Sequence, residues 1–219
     1  MGLRLGGAGP KALAPLEGTP LLVRTLQRFA GLRLVENAVI IVPANQRAQF
    51  NEALSAAFPG VAFILVDGGA ERQQSVANGL DALLPTAEIV VIHDAARPFV
   101  SREAIQLSIA AAQSCGAATV AIPLIDTILV ADEQGFLDST PDRANLWACQ
   151  TPQTFRIDAI RDAHAAAARA GYRATDDASL VRWHGGSVRI VNGSPANRKI
   201  TTPEDLAYAA HLLRNNLVE

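Results

Sequence analysis

Short apolar runs alternate with longer segments of helical spacing along most of this chain. The runs are rich in Val and Ile and lack the alternation of a half-exposed strand, which is typical of strands buried on both faces of a parallel sheet. They are AVIIV (38–42), VAFILV (61–66), IVVIH (89–93) and ATVAI (118–122). The helical segments between them lie at roughly 20–30, 45–57, 71–84 and 102–114. Alternation of this kind predicts an α/β fold with a doubly wound, mostly parallel sheet.

The alternation breaks between positions 123 and 150. There a strand-like DTILVA, a polar turn DEQG and a return segment ending in LWACQ predict a hairpin or extended arm at about 124–149. A strand SVRIVN (187–192) and helices at about 157–170 and 203–216 follow it. We therefore predict a single domain over 1–219 with a projecting arm, a type of segment that often holds a second subunit.

Local signals predict where several helices begin. Thr19-Pro20 has a capping residue followed by Pro at the first helical position, and Ser101 is a Ser cap. Thr202 is predicted to cap the last helix, with Pro203 first and Asp205 completing a carboxylate variant of the capping box. Those residues have a structural explanation, so they carry no functional prediction.

Composition limits the partners and the compartment. The 219 residues are 49% hydrophobic and carry a net charge of −2, so no global field attracts nucleic acid or an anionic membrane. Cys115 and Cys149 are far apart, which argues against a disulfide framework or a structural zinc site. No apolar run reaches the roughly 18 residues of a membrane helix, and no signal-peptide core is present. We expect a cytoplasmic protein.

Four polar clusters fall at strand ends or in loops, where an open parallel sheet builds its ligand crevice. The first is the opening loop, GLRLGGAGPK. Its glycines allow backbone N–H groups to converge on an anion, and Arg4 and Lys11 add positive charge. The loop matches neither the Walker A motif nor the dinucleotide fingerprint, so a solvated glycine-rich terminus remains an alternative.

The second cluster is DGGAERQQSVANGL (67–80), which follows a predicted strand. Gly68 and Gly69 permit close approach of a ligand, and Ser75 can donate a hydrogen bond to it. The alternative is an ordinary turn in which Glu71 and Arg72 are solvated residues at a helix start. The spacing of the glycines and Ser75 favours a nucleotide site.

The third cluster, HDAARPFV (93–100), places Asp94 just beyond a strand. A carboxylate there can bind a divalent cation or a sugar hydroxyl, and Arg97 can reach a phosphate. The alternative is an ion pair between Asp94 and Arg97 that stabilises the turn before Pro98. We expect His93 to be a hydrogen-bonded strand residue.

The remaining candidates lie near the end of the chain. Lys199 follows Asn197 and Arg198 in a loop, where its ammonium can point into the crevice. In TDDASLV (175–181), either Asp176 or Asp177 is predicted to cap a helix, which leaves Thr175 available for a ligand. Because G-x-S-x-G, H-E-x-x-H and an activated Cys are missing from the sequence, the inventory favours phosphate binding without a covalent nucleophile.

Taken together, these stretches resemble the 2-C-methyl-D-erythritol 4-phosphate cytidylyltransferase family over nearly the whole chain. The motifs that carry the resemblance most specifically are HDAARP, TDDASLV and QTPQTF, in the family's order and approximate spacing. The resemblance implies a Rossmann-like nucleotidyltransferase that transfers the cytidylyl group of CTP to methylerythritol phosphate with Mg²⁺. Ribitol-5-phosphate cytidylyltransferase shares much of the pattern and remains an alternative, as does an inactive nucleotide-binding homologue.

The resemblance also implies roles for individual residues. Those in the catalytic group would be Arg4, Lys11, Arg143 and Lys199. Those that bind the nucleotide would be Gly2, Arg4, Lys11, Gly69, Ser75, Asp94 and Lys199. Those that bind the polyol phosphate would be Asp94, Arg97, Thr127, Arg143, Thr151 and Thr175, with Asp94 also a ligand of Mg²⁺. In the implied homodimer, Thr127 and Arg143 enter the partner's site.

The family pattern places an apolar strand and an Ala-Ala-Gly turn ahead of the opening loop. The sequence begins at Met1 inside that loop. We therefore expect the family's N-terminal strand to be encoded upstream in a longer reading frame, or to have been removed by truncation.

Overall fold

A computed structural model of the chain describes residues 9–32 and 35–218. The predictions on Gly2 and Arg4, and on the segment before Met1, lie outside the described residues. The strands are β1 (Pro15–Leu16), β2 (Thr19–Pro20), β3 (Val39–Val42), β4 (Ile64–Asp67), β5 (Ile89–Ile92), β6 (Ala117–Pro123), β7 (Val130–Ala131), β8 (Leu137–Ser139), β9 (Trp147–Arg156) and β10 (Arg189–Asn192). The helices are α1 (Leu21–Phe29), α2 (Arg47–Ala57), α3 (Arg72–Asp81), α4 (Arg102–Cys115), α5 (Ile157–Ala170), α6 (Asp177–Trp183) and α7 (Pro203–Arg214).

The central sheet has the strand order β10-β6-β9-β5. β10 runs parallel to β6, whereas β9 runs antiparallel to both β6 and β5. β3 and β4 form a separate parallel pair. The predicted α/β fold is confirmed. The sheet, predicted to be mostly parallel, is mixed, because β9 runs antiparallel to both of its neighbours.

β9 is the element that the sequence pattern did not predict as a strand of the sheet. The sequence pattern predicts only its beginning, LWACQ, as the return segment of the arm. Its buried interior includes the polar residues Gln150, Thr151, Gln153 and Thr154, so it lacks an apolar run. Hydrogen bonds to neighbouring elements satisfy these side chains, which makes their burial affordable.

Both faces of the sheet are covered by helices. On one face, Phe155 of β9 packs with Ile160 of α5 and Leu180 of α6, all fully buried. On the other face, Val120 of β6 packs with Ile105 of α4. Burying each of these large side chains contributes about 2 kcal/mol, so the two layers stabilise the sheet that carries the polar loops.

The predicted helix starts are confirmed at two of three positions. Ser101 Oγ accepts the N–H of Ala104, and Thr202 with Asp205 forms a capping box at α7. Thr19 was predicted wrongly: it lies in β2, and α1 begins at Leu21 without a side-chain cap. Glu17 and Gly18 both have positive φ, as in a type I′ turn, and this turn makes a hairpin of β1 and β2.

The arm contains the predicted hairpin, with β7 and β8 joined by a tight turn. Asp132 Oδ1 accepts the N–H groups of Gln134 and Phe136, and Gly135 has a positive φ in this turn. Along the arm, Ile125 and Phe136 are 76% and 72% exposed. Exposed apolar side chains on a projecting segment are typical of an interaction surface.

Among residues 9–32 and 35–218, no helix has the length and apolar character needed to cross a membrane.

Candidate active site

Asp94, directly after β5, is the centre of a charged cluster. Its Oδ2 lies 3.2 Å from Arg97 Nε and 3.0 Å from Lys199 Nζ. Burial alone would raise the pKa of Asp94, but the charges of Lys199 and Arg97 outweigh it and lower that pKa. Two cations thus surround one carboxylate, and 44% of the Lys199 side chain remains exposed. The cluster can therefore accept a further anion.

Backbone contacts fasten the Asp94 turn to the loop that carries Lys199. Arg97 Nη1 donates to the carbonyl of Asn197 at 2.8 Å, and the N–H of Ile200 donates to the carbonyl of Ala96 at 2.9 Å. The ion pair between Asp94 and Arg97, which the sequence offered as an alternative to a functional role, is present. This ion pair does not account for the whole role of Asp94, because the same carboxylate also binds Lys199.

His93 and Thr151 hold the Asp94 turn through hydrogen bonds. Thr151 Oγ1 accepts the N–H of Asp94 at 3.1 Å and lies 2.9 Å from His93 Nδ1, while His93 Nε2 lies 3.1 Å from the carbonyl of Arg97. A carbonyl only accepts, so Nε2 carries the proton and Nδ1 accepts from the Thr151 hydroxyl. Burial lowers the pKa of His93 to about 4, which keeps the ring neutral. His93 is the hydrogen-bonded residue that was predicted.

The glycine loop after β4 is held by Ser75. The N–H of Gly69 donates to Ser75 Oγ at 3.0 Å, and that hydroxyl donates to the carbonyl of Glu71 at 2.9 Å. A Cβ on Gly69 would lie only 2.6 Å from Cβ of Gln74, so the turn requires glycine there. Ser75 thus shapes the loop, and its contact with a nucleotide stays a prediction.

The alternative interpretation of this turn predicts that Arg72, at the start of α3, is solvated. For Arg72 this interpretation is wrong. Its Nη2 lies 2.6 Å from Oδ2 of Asp177, whose side chain is 2% exposed. Burial would lower the pKa of Arg72, but the charge of Asp177 raises it overall, with a further contribution from Asp94. Arg72 therefore joins the helix that follows the glycine loop to α6.

Two glutamines of the QTPQ segment in β9 position the surrounding loops, and sequence reasoning missed both. Gln150 Nε2 donates to the carbonyl of Ser194 at 2.9 Å, and its Oε1 accepts from Asn197 Nδ2 at 3.0 Å. Gln153 Oε1 accepts the N–H groups of Asp177 and Ala178. The Thr151-Pro152 peptide bond between the two glutamines is cis. The available signal was the QTPQTF motif itself, which carries part of the family resemblance.

The structure distinguishes the two aspartates at α6. Asp176 is the N-cap, since its Oδ1 accepts the N–H of Ser179 at 2.7 Å, whereas Asp177 is the partner of Arg72. Thr175, which precedes the cap, is exposed.

The other predicted residues lie on separate segments. Lys11 is half-exposed and begins a single helical turn, Lys11–Leu13, directly after Pro10. Thr127 and Arg143 lie in the arm and are exposed, and Arg143 Nη1 donates to the carbonyl of Ile125. This hydrogen bond braces the arm itself, and the contribution of Thr127 and Arg143 to a partner's site stays a prediction.

Asp94 is the carboxylate at the centre of the site that could hold a metal. The part of the chain that the structure describes contains no group of three or more His, Cys, Asp or Glu side chains arranged for a metal ion. Mg²⁺ commonly binds through one or two carboxylates together with substrate phosphates and water, so a single carboxylate fits that mode. A metal site built from protein ligands alone does not fit the described residues.

Comparisons with known proteins agree on one family. The model of the 2-C-methyl-D-erythritol 4-phosphate cytidylyltransferase family matches residues 1–215. The chain is 46% identical to an enzyme of that name from Syntrophotalea carbinolica over 97% of this chain and 92% of the relative. It resembles the crystal structure of the Thermus thermophilus enzyme of the same name with a TM-score of 0.77 and 35% identity, over 95% of this chain and 96% of that one. A 4-diphosphocytidyl-2C-methyl-D-erythritol synthase from Anaerococcus prevotii superimposes with a TM-score of 0.84 at 28% identity, covering 91% and 88% of the two chains.

Proposed function

The chain belongs to the 2-C-methyl-D-erythritol 4-phosphate cytidylyltransferase family, and from this premise we propose that it transfers the cytidylyl group of CTP to 2-C-methyl-D-erythritol 4-phosphate. The products are 4-diphosphocytidyl-2-C-methyl-D-erythritol and pyrophosphate, in isoprenoid precursor biosynthesis. The observation that carries the proposal is the convergence of Lys199 and Arg97 on the Asp94 carboxylate.

The reaction requires the protein mainly to align the two substrates and to supply positive charge. An oxygen of the acceptor phosphate attacks the α-phosphorus of CTP, and the bond from that phosphorus to the bridging oxygen breaks, so pyrophosphate leaves with the electron pair. The attacking phosphate is already an anion, so no general base is needed. Lys199 and Arg97, with Lys11 and Arg4 from the opening loop, offset the repulsion between two polyanions and the charge of the transition state.

We propose that Gly69 and Ser75 contact the cytidine and that Thr175 and Thr151 lie near the acceptor. Asp94 would hold Mg²⁺ through its carboxylate, together with phosphate oxygens. When bound, the metal neutralises phosphate charge and orients the leaving group.

We further propose a homodimer in which Thr127 and Arg143 of each arm complete the partner's acceptor site. Exposed apolar side chains along the arm support this, because such side chains are usually covered by a partner. A cytoplasmic location is proposed as well, since both cysteines, at 115 and 149, are free thiols.

The test is pyrophosphate release by the purified chain with CTP and Mg²⁺, with methylerythritol phosphate and ribitol 5-phosphate supplied in separate reactions. We expect release and a product of the cytidylyl-transfer mass with methylerythritol phosphate. Release with ribitol 5-phosphate alone would assign the other acceptor. CTP binding without release in either reaction would contradict the proposed activity.

A further inference from the structure

Asp205, in the first turn of α7, closes the loop that carries Lys199. Its Oδ2 accepts the N–H of Thr201 at 2.8 Å, the hydroxyl of Thr201 at 2.7 Å and the N–H of Thr202 at 3.0 Å. Its Oδ1 lies 2.9 Å from Arg198 Nε. These partners stand on both sides of Lys199 in the sequence. The carboxylate holds the Arg198 side chain before that lysine and the backbone N–H groups of Thr201 and Thr202 after it.

The contacts exceed what a helix cap requires. A capping box needs the Thr202 side chain and one reciprocal contact from the third helical residue. Asp205 makes that contact and adds the two from Thr201 and the one from Arg198. These additional contacts order the loop ahead of the helix rather than the helix itself.

The loop in turn sets the position of the Lys199 ammonium. Ile200 is 2% exposed, and its N–H donates to the carbonyl of Ala96 in the Asp94 turn. With the backbone held there and at Asp205, the side chain of Lys199 reaches Asp94 Oδ2 at 3.0 Å. A loosened loop would let the flexible lysine side chain leave this position.

The Asp205 carboxylate is charged under all ordinary conditions. Burial would raise its pKa, but hydrogen bonds from Thr201 and Thr202 and the charge of Arg198 lower the pKa to about 2. The side chain is buried, so it is out of reach of a substrate in the crevice.

We propose that Asp205 is a positioning residue for the transfer reaction: it orders the loop 198–202 so that the Lys199 ammonium stays at Asp94, where the phosphates bind. The inference rests on the proposed function for the identity of the reaction. The placement of Lys199 by Asp205 is measurable without it.

The direct test is the chemical accessibility of Lys199 in the free protein. The sequence contains two lysines, Lys11 and Lys199, so acetylation followed by peptide mass spectrometry reads Lys199 with Lys11 as an internal reference. In Asp205→Asn we expect Lys199 to be acetylated on the order of threefold faster than in the wild type, because the loop opens more often. Asp158→Asn, the same change in the exposed first turn of α5, is the matched control and should leave the rate unchanged. An unchanged Lys199 rate in Asp205→Asn would overturn the proposal.

A double-mutant cycle separates positioning from general stability. Asp205→Asn should lower kcat about tenfold with a nearly unchanged KM for CTP, and it should cause no further loss in a Lys199→Ala background. Effects on kcat that multiply in the double variant would contradict the inference. Absence of transfer by the wild type would instead contradict the proposed function, and the acetylation rates would still decide the role of Asp205.

A milder variant covers the case in which Asp205→Asn does not fold. Thr201→Val removes a single hydrogen bond to the carboxylate. We expect a smaller increase of Lys199 acetylation in the same direction, and an unchanged rate would again overturn the proposal.

Discussion

Arg72 Nη2 lies 2.6 Å from Asp177 Oδ2, and this ion pair joins the first residue of α3 to the first residue of α6. The glycine loop precedes α3, and Thr175 precedes α6. The pair therefore fixes the distance between two loops that we assign to the nucleotide and the acceptor. Arg72 at the start of α3 is therefore not an ordinary solvated residue, because it helps to position two loops of the candidate site.

Removing Arg72 should destabilise the fold. Arg72→Met leaves the buried Asp177 carboxylate without its cation, so we expect the free energy of unfolding to fall by about 2 kcal/mol in urea denaturation. The value is below that of a fully buried pair because 38% of the Arg72 side chain is exposed. The double variant Arg72→Met/Asp177→Asn should recover part of the loss.

The matched control is the neighbouring pair of Glu71 and Arg173, whose side chains are 49% and 79% exposed. Glu71→Gln should cost less than about 1 kcal/mol, as for other surface pairs. An equal loss of unfolding free energy in Arg72→Met and Glu71→Gln would show that the contact with Asp177 stabilises the fold no more than a surface ion pair does.

Stability should depend on pH through His93. The pKa of His93 is about 4 in the folded chain against an ordinary value of 6.5, so the unfolded chain binds a proton first as the pH falls. The contribution is complete above pH 6.5 and is lost between there and pH 4, a total of about 3 kcal/mol. Asp94 and Asp205, whose pKa values are lowered, lose their contributions only below about pH 4.

The measurement is urea unfolding at several pH values for the wild type and His93→Gln. Taking the difference in the free energy of unfolding between the two proteins removes the contributions of the other histidines. We expect the variant to lose less stability than the wild type as the pH falls from 6.5 to 4. Parallel curves would mean that His93 is not held neutral by the fold.

The parts of the fold and site that sequence patterns predicted are those with local signals. The strands β3 and β6 are apolar runs, and the capping box of Thr202 and Asp205 lies within one turn of helix. β9 was not predicted because the buried Gln153 depends on hydrogen bonds with Thr119 and Asp177, which lie far along the chain and which no local pattern reveals. The same holds for Arg72, whose partner Asp177 lies far along the chain.

The candidate site was predictable as a set of residue types but not as a geometry. HDAARP and the loop around Lys199 marked Asp94, Arg97 and Lys199 as charged groups at the crevice. That Arg97 and Lys199 meet on one carboxylate oxygen of Asp94 depends on the tertiary structure, since Lys199 lies in a loop before the last helix. The supporting role of Gln150 likewise depends on tertiary contacts, those with Ser194 and Asn197.

Assembly should depend on the arm. Phe136 is 72% exposed near the turn of the hairpin, and Phe136→Asp places a charge in the proposed interface, which disfavours association. We expect light scattering to give a dimer for the wild type and a monomer for the variant. Leu217→Asp, at a 61% exposed residue outside the arm, is the control and should stay dimeric. A monomeric wild type would refute the proposed contribution of Thr127 and Arg143 to a partner's site.

The central claim is that the cations gathered at Asp94 stabilise the transferring phosphates, and Lys199→Ala tests it most directly. With saturating CTP, Mg²⁺ and methylerythritol phosphate, we predict a fall in kcat on the order of 10²-fold, comparable to the loss of an oxyanion donor. The Tm should stay close to that of the wild type, and Arg169→Ala, an exposed cation in the last turn of α5, should retain full turnover. A folded Lys199→Ala variant with near-normal kcat would contradict the account.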